Sequence, residues 1–209
     1  MNAPAINIYV PGILTFPGDG KNWDGRAVSH TIAGHWPDLA AEKVEYLCGP
    51  IDRAFGQKMR AEKLYRTVQQ YALGWTINLV GHSNGCAVIL AMLSDFPAWP
   101  DIGHLHLVCG ACEASFEKNY LNAWLRTRRV GRASVYVAED DAALRLAHSL
   151  PGRILGYGTL GLHGALDVAP DVAGRVNTVL WPNYGHSDCW SDSEFEQTMR
   201  YFTQEAAEA

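Results

Sequence analysis

The sequence predicts an α/β protein: a three-layer α/β/α sandwich around a mostly parallel sheet of about six strands. Three observations predict this class. The 209-residue chain alternates short runs rich in aliphatic and β-branched residues with segments of helical periodicity, which is the pattern of βα units. The third such run ends in a glycine-flanked serine before an apolar helix. No repeat or linker interrupts the pattern, so we expect one domain, residues 1–209.

The predicted elements follow from this alternation and from the turn residues between them. Strands are expected at residues 6–10, 44–47, 75–80, 104–109, 134–138 and 176–181. Helices are expected at residues 24–36, 58–73, 86–93, 116–128, 142–150 and 193–206. In the second helix Met59, Leu64 and Val68 recur at helical spacing, which favours a buried face. Two stretches rich in glycine, residues 15–22 and 151–168, are expected to be loops.

The composition and net charge of the chain indicate which classes of binding partner to expect. Hydrophobic residues make up 48% of the chain and charged residues 19%, which is typical of a globular protein. The net charge of -5 argues against nucleic acid as a partner, because phosphate binding needs a clustered basic surface. No apolar run is long enough to span a membrane, and the first residues lack the pattern of a signal peptide, so we expect a cytoplasmic protein. The sequence assigns no oligomeric state.

Five cysteines, at positions 48, 86, 109, 112 and 189, are an odd number spread along the chain. This pattern favours reduced thiols over a disulfide framework. Cys109 and Cys112 have CxxC spacing, but they follow a late strand, and no second pair completes a zinc site. We therefore expect a structural role for them, and neither a metal nor a cofactor.

The strongest signal for chemistry is the segment Gly81-His82-Ser83-Asn84-Gly85, between a predicted strand and an apolar helix. A nucleophilic serine has to project from a sharp turn, and glycines on both sides keep Cβ atoms away from the neighbouring backbone. GxSxG occurs by chance in many sequences. The interpretation of Ser83 as a nucleophile therefore depends on the predicted strand before it and the apolar helix after it. The alternative is a tight turn in which Ser83 only caps the helix.

A serine nucleophile needs a base, and His186 is the best candidate among eight histidines. It follows the last predicted strand, and the carboxyl ends of parallel strands meet at one edge of the sheet. Ser83 and His186 are therefore expected to lie near each other. The competing candidate is His163 in the glycine-rich stretch, and the alternative for His186 is an ordinary loop histidine.

The acid that orients the histidine is expected among Glu139, Asp140 and Asp141, at the end of the strand before the last. We favour Asp141 because it lies at the turn into the next helix, and Asp140 is the alternative. Acidic residues also favour helix N-termini, so the run could simply cap that helix.

The oxyanion formed during acyl transfer needs two N–H donors. The first is expected from the backbone of Asn84, directly after the nucleophile, and the second from the backbone of Ile13, in the loop after the first strand.

The segment Gly81-His82-Ser83-Asn84-Gly85, called the elbow below, precedes the acid and the final histidine in the chain. This is the order of the α/β-hydrolase superfamily, which this chain resembles over nearly its whole length. The segment Asp141-Ala142-Ala143-Leu144 before a loop with Gly156, Gly158 and Gly161 resembles α/β hydrolases of unknown function. The resemblance implies a minimal α/β-hydrolase fold and a lipase-like serine esterase acting on a small-molecule ester. A thioesterase, amidase or acyltransferase on the same residues is an alternative, and so is a non-catalytic binding module.

Overall fold

Six parallel strands form one sheet in the order β2-β1-β3-β4-β5-β6. The computed structural model describes residues 3–13, 23–34, 38–46, 48–49, 52–96, 98, 100–149 and 156–207. The strands are β1 (Ala5–Val10), β2 (Leu39–Lys43), β3 (Thr76–His82), β4 (Ile102–Val108), β5 (Val130–Ala138) and β6 (Val176–Trp181). The helices are α1 (Trp23–Ala33), α2 (Asp52–Gln70), α3 (Asn84–Asp95), α4 (Leu121–Arg126), α5 (Ala142–Ala147), α6 (Leu160–His163) and α7 (Phe195–Ala207).

Helices cover both faces of the sheet, so the predicted three-layer architecture is confirmed. On β1, Ile6 and Ile8 belong to the core that packs under α2 and α3. Tyr9 belongs to a second core that packs under α1 and α7. All six residues of β1 are buried, as expected for a central strand of a parallel sheet. None of the described helices is long and apolar enough to cross a membrane.

The predicted strand at residues 44–47 was wrong, because the second strand is Leu39–Lys43. β2 is an edge strand that pairs only with β1, and its alanine, glutamate and lysine residues carry little strand propensity. Val44 and Tyr46 are buried just after it, which explains their misleading apolar pattern. Residue 47 lies outside the described part of the chain.

Other boundaries also differ from the predictions. Helix α2 begins at Asp52, and Met59 on it is 64% exposed, whereas Leu64 and Val68 are buried as expected. The stretch 151–168 contains the short helix α6, although residues 151–155 are outside the described chain. The predicted loop at 15–22 and the helix end at 35–36 also fall outside it.

A row of buried polar side chains crosses the sheet beneath α7. The Asn78 amide donates to Asn7 Oδ1 at 3.0 Å, and the Asn7 amide donates to the Phe202 carbonyl at 3.1 Å. His104 and His106 on β4 stack at 4.0 Å. Their rings hydrogen-bond across to β5: His104 to the Ser134 hydroxyl and His106 to the Tyr136 hydroxyl, each at 2.9 Å.

Burial keeps both histidines of β4 neutral. Desolvation, with a contribution from nearby Arg132, lowers the pKa of His104 from 6.5 to about 4. Desolvation and the facing His104 ring lower the pKa of His106 well below 6.5. An unfolded chain binds protons on these groups at a higher pH than the folded chain does, so acid favours unfolding.

We expect the free energy of unfolding to fall as the pH decreases from 6.5 toward 4, because the native rings resist protonation. Urea denaturation across this interval measures the slope. The variant His104→Gln retains an amide donor for Ser134 and cannot titrate, so its slope should be shallower. The variant His163→Gln, at an exposed position on α6, should keep the wild-type slope. Equal slopes for His104→Gln and wild type would contradict this account.

Candidate active site

The predicted site residues lie at one edge of the sheet, at the carboxyl ends of the parallel strands. Ser83 directly follows β3, Asp141 lies just beyond β5, and His186 lies in the loop after β6. Gly12 and Ile13 follow β1, the neighbour of β3. The topology therefore brings together residues that are more than 100 positions apart in the chain.

Ser83 occupies a sharp turn between β3 and α3. Its backbone has φ 55° and ψ −120°, a conformation that is strained for a residue with a side chain. Its N–H donates to the Val108 carbonyl at 2.9 Å, and its carbonyl accepts from the Ala111 N–H at 3.0 Å. The side chain makes no capping hydrogen bond to α3, which removes the alternative in which Ser83 only caps that helix.

Close backbone contacts explain the glycines around Ser83. A Cβ at Gly85 would overlap the carbonyl oxygen of Val10, and one at Gly81 would lie 2.9 Å from the Cys86 nitrogen. A Cβ at Gly12 would lie 2.9 Å from the Ser83 Cβ and 3.4 Å from its Oγ. The loop after β1 therefore passes the Ser83 side chain at contact distance.

His186, which is half-buried, pairs with the fully buried Asp141. The Nδ1–H of His186 donates to Asp141 Oδ2 at 2.7 Å. The other carboxylate oxygen of Asp141, which is fully buried, accepts from the Leu144 N–H at 2.7 Å and caps α5. Asp141 thus orients a ring and caps a helix. Asp140 is exposed and lies 3.8 Å from Arg145, so it takes no part in this pair.

Ser83 and His186 line one cavity of about 400 Å³. The walls are mostly apolar, and they comprise Gly12, Ile13, Trp23, His82, Ser83, Ala111, Ala143, Leu144, Ala147, Tyr157, His186 and Ser187. Within the described chain, no hydrogen bond joins Ser83 Oγ to the His186 ring. Such bonds are often long in a substrate-free site and shorten when substrate binds. His163 is exposed on α6 and is not part of this lining.

Sequence reasoning missed the role of His82, which lies beside Ser83. Its Nε2 is 2.9 Å from the carbonyl oxygen of His186, and since a carbonyl only accepts, Nε2 carries the proton. The ring packs edge-on against Trp23 and Trp190. Desolvation, followed by the nearby His186, lowers the pKa of His82 to about 3. His82 therefore acts as a neutral donor that fixes the loop of His186.

Sequence reasoning also missed the role of Tyr46. Its hydroxyl, which is buried beneath the loop after β1, donates to the Pro11 carbonyl at 2.5 Å. Burial raises the pKa of Tyr46 well above 10, so the hydroxyl keeps its proton. This bond holds the segment that leads to Gly12 and Ile13. No local motif marks either residue, because each one binds a main-chain carbonyl distant in sequence.

The cysteines are all reduced and buried. The segment Cys109–Cys112 follows β4 and supports the turn at Ser83 through Ala111. The glycine-rich stretch packs on it, because a Cβ at Gly158 would overlap the Cys112 carbonyl. Cys109, together with His82 and His186, also forms a group of potential metal ligands, in which one ligand atom from each lies within 4.8 Å of the others.

Comparison with solved structures identifies the architecture. A thermophilic esterase from Thermogutta terrifontis with bound butyrate superposes with a TM-score of 0.58 at 13% identity, covering 99% of this chain and 84% of the esterase. An α/β serine hydrolase without lid from Xanthomonas campestris gives 0.54 at 11% identity, covering 98% and 83%. This chain has the α/β-hydrolase fold.

A protein from Bacillus cereus with the same fold gives a TM-score of 0.57 at 12% identity. The match covers 98% of this chain and 61% of the Bacillus protein, so this chain spans about three fifths of the length of that protein. No family model matches the sequence. No curated protein matches it either.

We expect Gly85→Ala to destabilise this α/β-hydrolase fold by about 1–3 kcal/mol, because the added Cβ overlaps the Val10 carbonyl and forces β1 away from the elbow. Gly174→Ala is the matched control, since a Cβ there meets nothing within 4 Å. Thermal and urea denaturation of both variants measure the difference. Equal stabilities would mean that the elbow tolerates a side chain at position 85.

Proposed function

We propose that the protein is a serine hydrolase that cleaves carboxylic esters, with Ser83 as nucleophile, His186 as base and Asp141 as the acid that orients it. The observation that carries the proposal is the 2.7 Å hydrogen bond from His186 Nδ1 to the buried Asp141 carboxylate. That bond leaves the lone pair on Nε2 of a ring that shares a cavity with the strained Ser83.

In the proposed reaction the Ser83 hydroxyl attacks the ester carbonyl carbon while His186 Nε2 takes its proton. Asp141 stabilises the imidazolium, which then gives the proton to the departing alcohol. A water molecule, deprotonated by the same nitrogen, attacks the acyl-enzyme and releases the carboxylic acid. Each proton is returned, so no cofactor is needed in this cycle.

The negative charge on the carbonyl oxygen is held by the backbone N–H groups of Ile13 and Asn84 in this proposal. Asn84 is the first residue of α3, where the helix dipole favours negative charge. Ile13 lines the same cavity, and the preceding Gly12 brings its loop to contact distance of Ser83. Both positions support an oxyanion site beside the nucleophile.

The size and lining of the cavity favour a small apolar acyl group. Helix α5 contributes Ala143, Leu144 and Ala147 to the wall, and these residues offer apolar surface with no charge. A cavity of about 400 Å³ suits short or medium acyl chains. An acyl-thioester could enter the same space, so thioesters belong in the substrate panel beside simple esters.

We expect Ser83→Ala to lose all labelling by a fluorophosphonate probe and to lower kcat/KM on short p-nitrophenyl esters by about 10⁴-fold or more. Ser94→Ala, an exposed position near the end of α3, serves as the control and should label like the wild type. Labelling that persists in Ser83→Ala would exclude Ser83. Silence of the wild type toward the probe, esters and thioesters would instead favour the non-catalytic binding module.

We expect Asp141→Asn to lower kcat/KM by roughly 10⁴-fold, because an amide at this position favours the wrong tautomer of His186. Asp140→Asn is a matched neighbour that should keep wild-type activity, since its carboxylate is exposed beside Arg145. Steady-state kinetics of both variants test the assignment. A larger loss in Asp140→Asn than in Asp141→Asn would assign the acid to position 140.

A further inference from the structure

The thiol of Cys109 and the imidazoles of His82 and His186 lie close together. One ligand atom each from His82, Cys109 and His186 lies within 4.8 Å of the others. The two histidine rings are 4.9 Å apart, centre to centre, and both line the cavity that holds Ser83. We propose that these three residues form a binding site for a borderline divalent cation such as Zn²⁺, and that the bound cation blocks the site.

The hydrogen bonds of the two histidines match those of metal ligands. A ligating histidine typically donates its other ring N–H to a carboxylate or a backbone carbonyl, which fixes the tautomer and aims the lone pair. His186 donates from Nδ1 to Asp141, and His82 donates from Nε2 to the His186 carbonyl. Lone pairs are therefore left on His186 Nε2 and on His82 Nδ1.

The donor set selects the cation. One thiolate and two imidazoles suit Zn²⁺ or Co²⁺ and do not suit Mg²⁺ or Ca²⁺, which prefer oxygen ligands. Three protein ligands leave the fourth position of a tetrahedral site for water. The Cys109 thiol loses its proton when it binds the metal, so each cation bound releases one proton to solvent.

Metal binding and base catalysis are mutually exclusive, because both need the lone pair of His186 Nε2. A bound cation therefore inhibits the enzyme by occupying its base, and this consequence rests on the proposed function. Metal binding itself does not rest on it, since binding needs only the three side chains. Metal binding and inhibition of the enzyme can therefore be tested in separate experiments.

Titration of the purified protein with Co²⁺ tests the binding site directly, because a thiolate ligand gives a sulfur-to-cobalt charge-transfer band in the near ultraviolet. We expect the wild type to give this band and Zn²⁺ to remove it by displacement. Cys109→Ala should lose the band and bind Zn²⁺ at least about 10-fold more weakly by calorimetry. Cys112→Ala, a buried thiol on the same segment, is the matched control and should keep both signals.

The inhibition experiment measures ester hydrolysis with increasing Zn²⁺. Wild type and Cys112→Ala should be inhibited, whereas Cys109→Ala should need at least about 10-fold more Zn²⁺ to lose the same fraction of its own metal-free rate. A wild-type protein without the Co²⁺ band, or Zn²⁺ affinity unchanged in Cys109→Ala, would overturn the metal site. A normal Co²⁺ band in a protein without hydrolase activity would support the metal site while refuting the proposed function.

Discussion

The backbone conformation of Ser83 depends on main-chain contacts from both neighbouring strands. A positive φ at a serine is unfavourable by about 1–3 kcal/mol, so the surrounding structure has to impose it. The end of β4 does so through Val108 and Ala111, which hydrogen-bond the Ser83 N–H and carbonyl. The carbonyl of Val10 on β1 closes the other side by packing against Gly85. The position of Ser83 thus depends on the sheet as well as on its own turn.

The loop that carries His186 is held by hydrogen bonds in a comparable way. The segments after β5 and β6 are tied together by the Asp140 N–H, which donates to the Tyr184 carbonyl at 3.0 Å. Asp141 then fixes the His186 ring, and His82 fixes the His186 backbone. Because His82 precedes Ser83 directly, one short segment carries Ser83 and also fixes the loop of His186.

The sequence predicted those parts of this site that depend on neighbouring residues or on the topology of the sheet. The elbow was predictable, because its glycines and its strand–helix context are all local. The position of His186 followed from topology, since ends of parallel strands share an edge. The sequence favoured Asp141 and kept Asp140 as the alternative, and the geometry puts Asp141 against the ring.

The residues that sequence reasoning missed share one property. His82 and Tyr46 each donate to a main-chain carbonyl, 104 and 35 positions away, and a carbonyl leaves no signature in a sequence. The misplaced second strand has a related cause. Its pairing with β1 is decided by backbone hydrogen bonds at the sheet edge, whereas the nearby apolar residues Val44 and Tyr46 are buried for reasons of packing.

The hydrogen bonds that would prepare His186 for the proposed proton transfer would also suit a metal ligand. Catalysis requires a fixed tautomer with a free lone pair on Nε2, and metal binding requires the same state. Cys109 supplies the third ligand of the proposed metal site. A thiolate is costly to bury unless a cation accompanies it. The proposed cation would supply that charge and occupy the Nε2 lone pair in a single event, so the metal-bound protein would lose the proposed hydrolase activity.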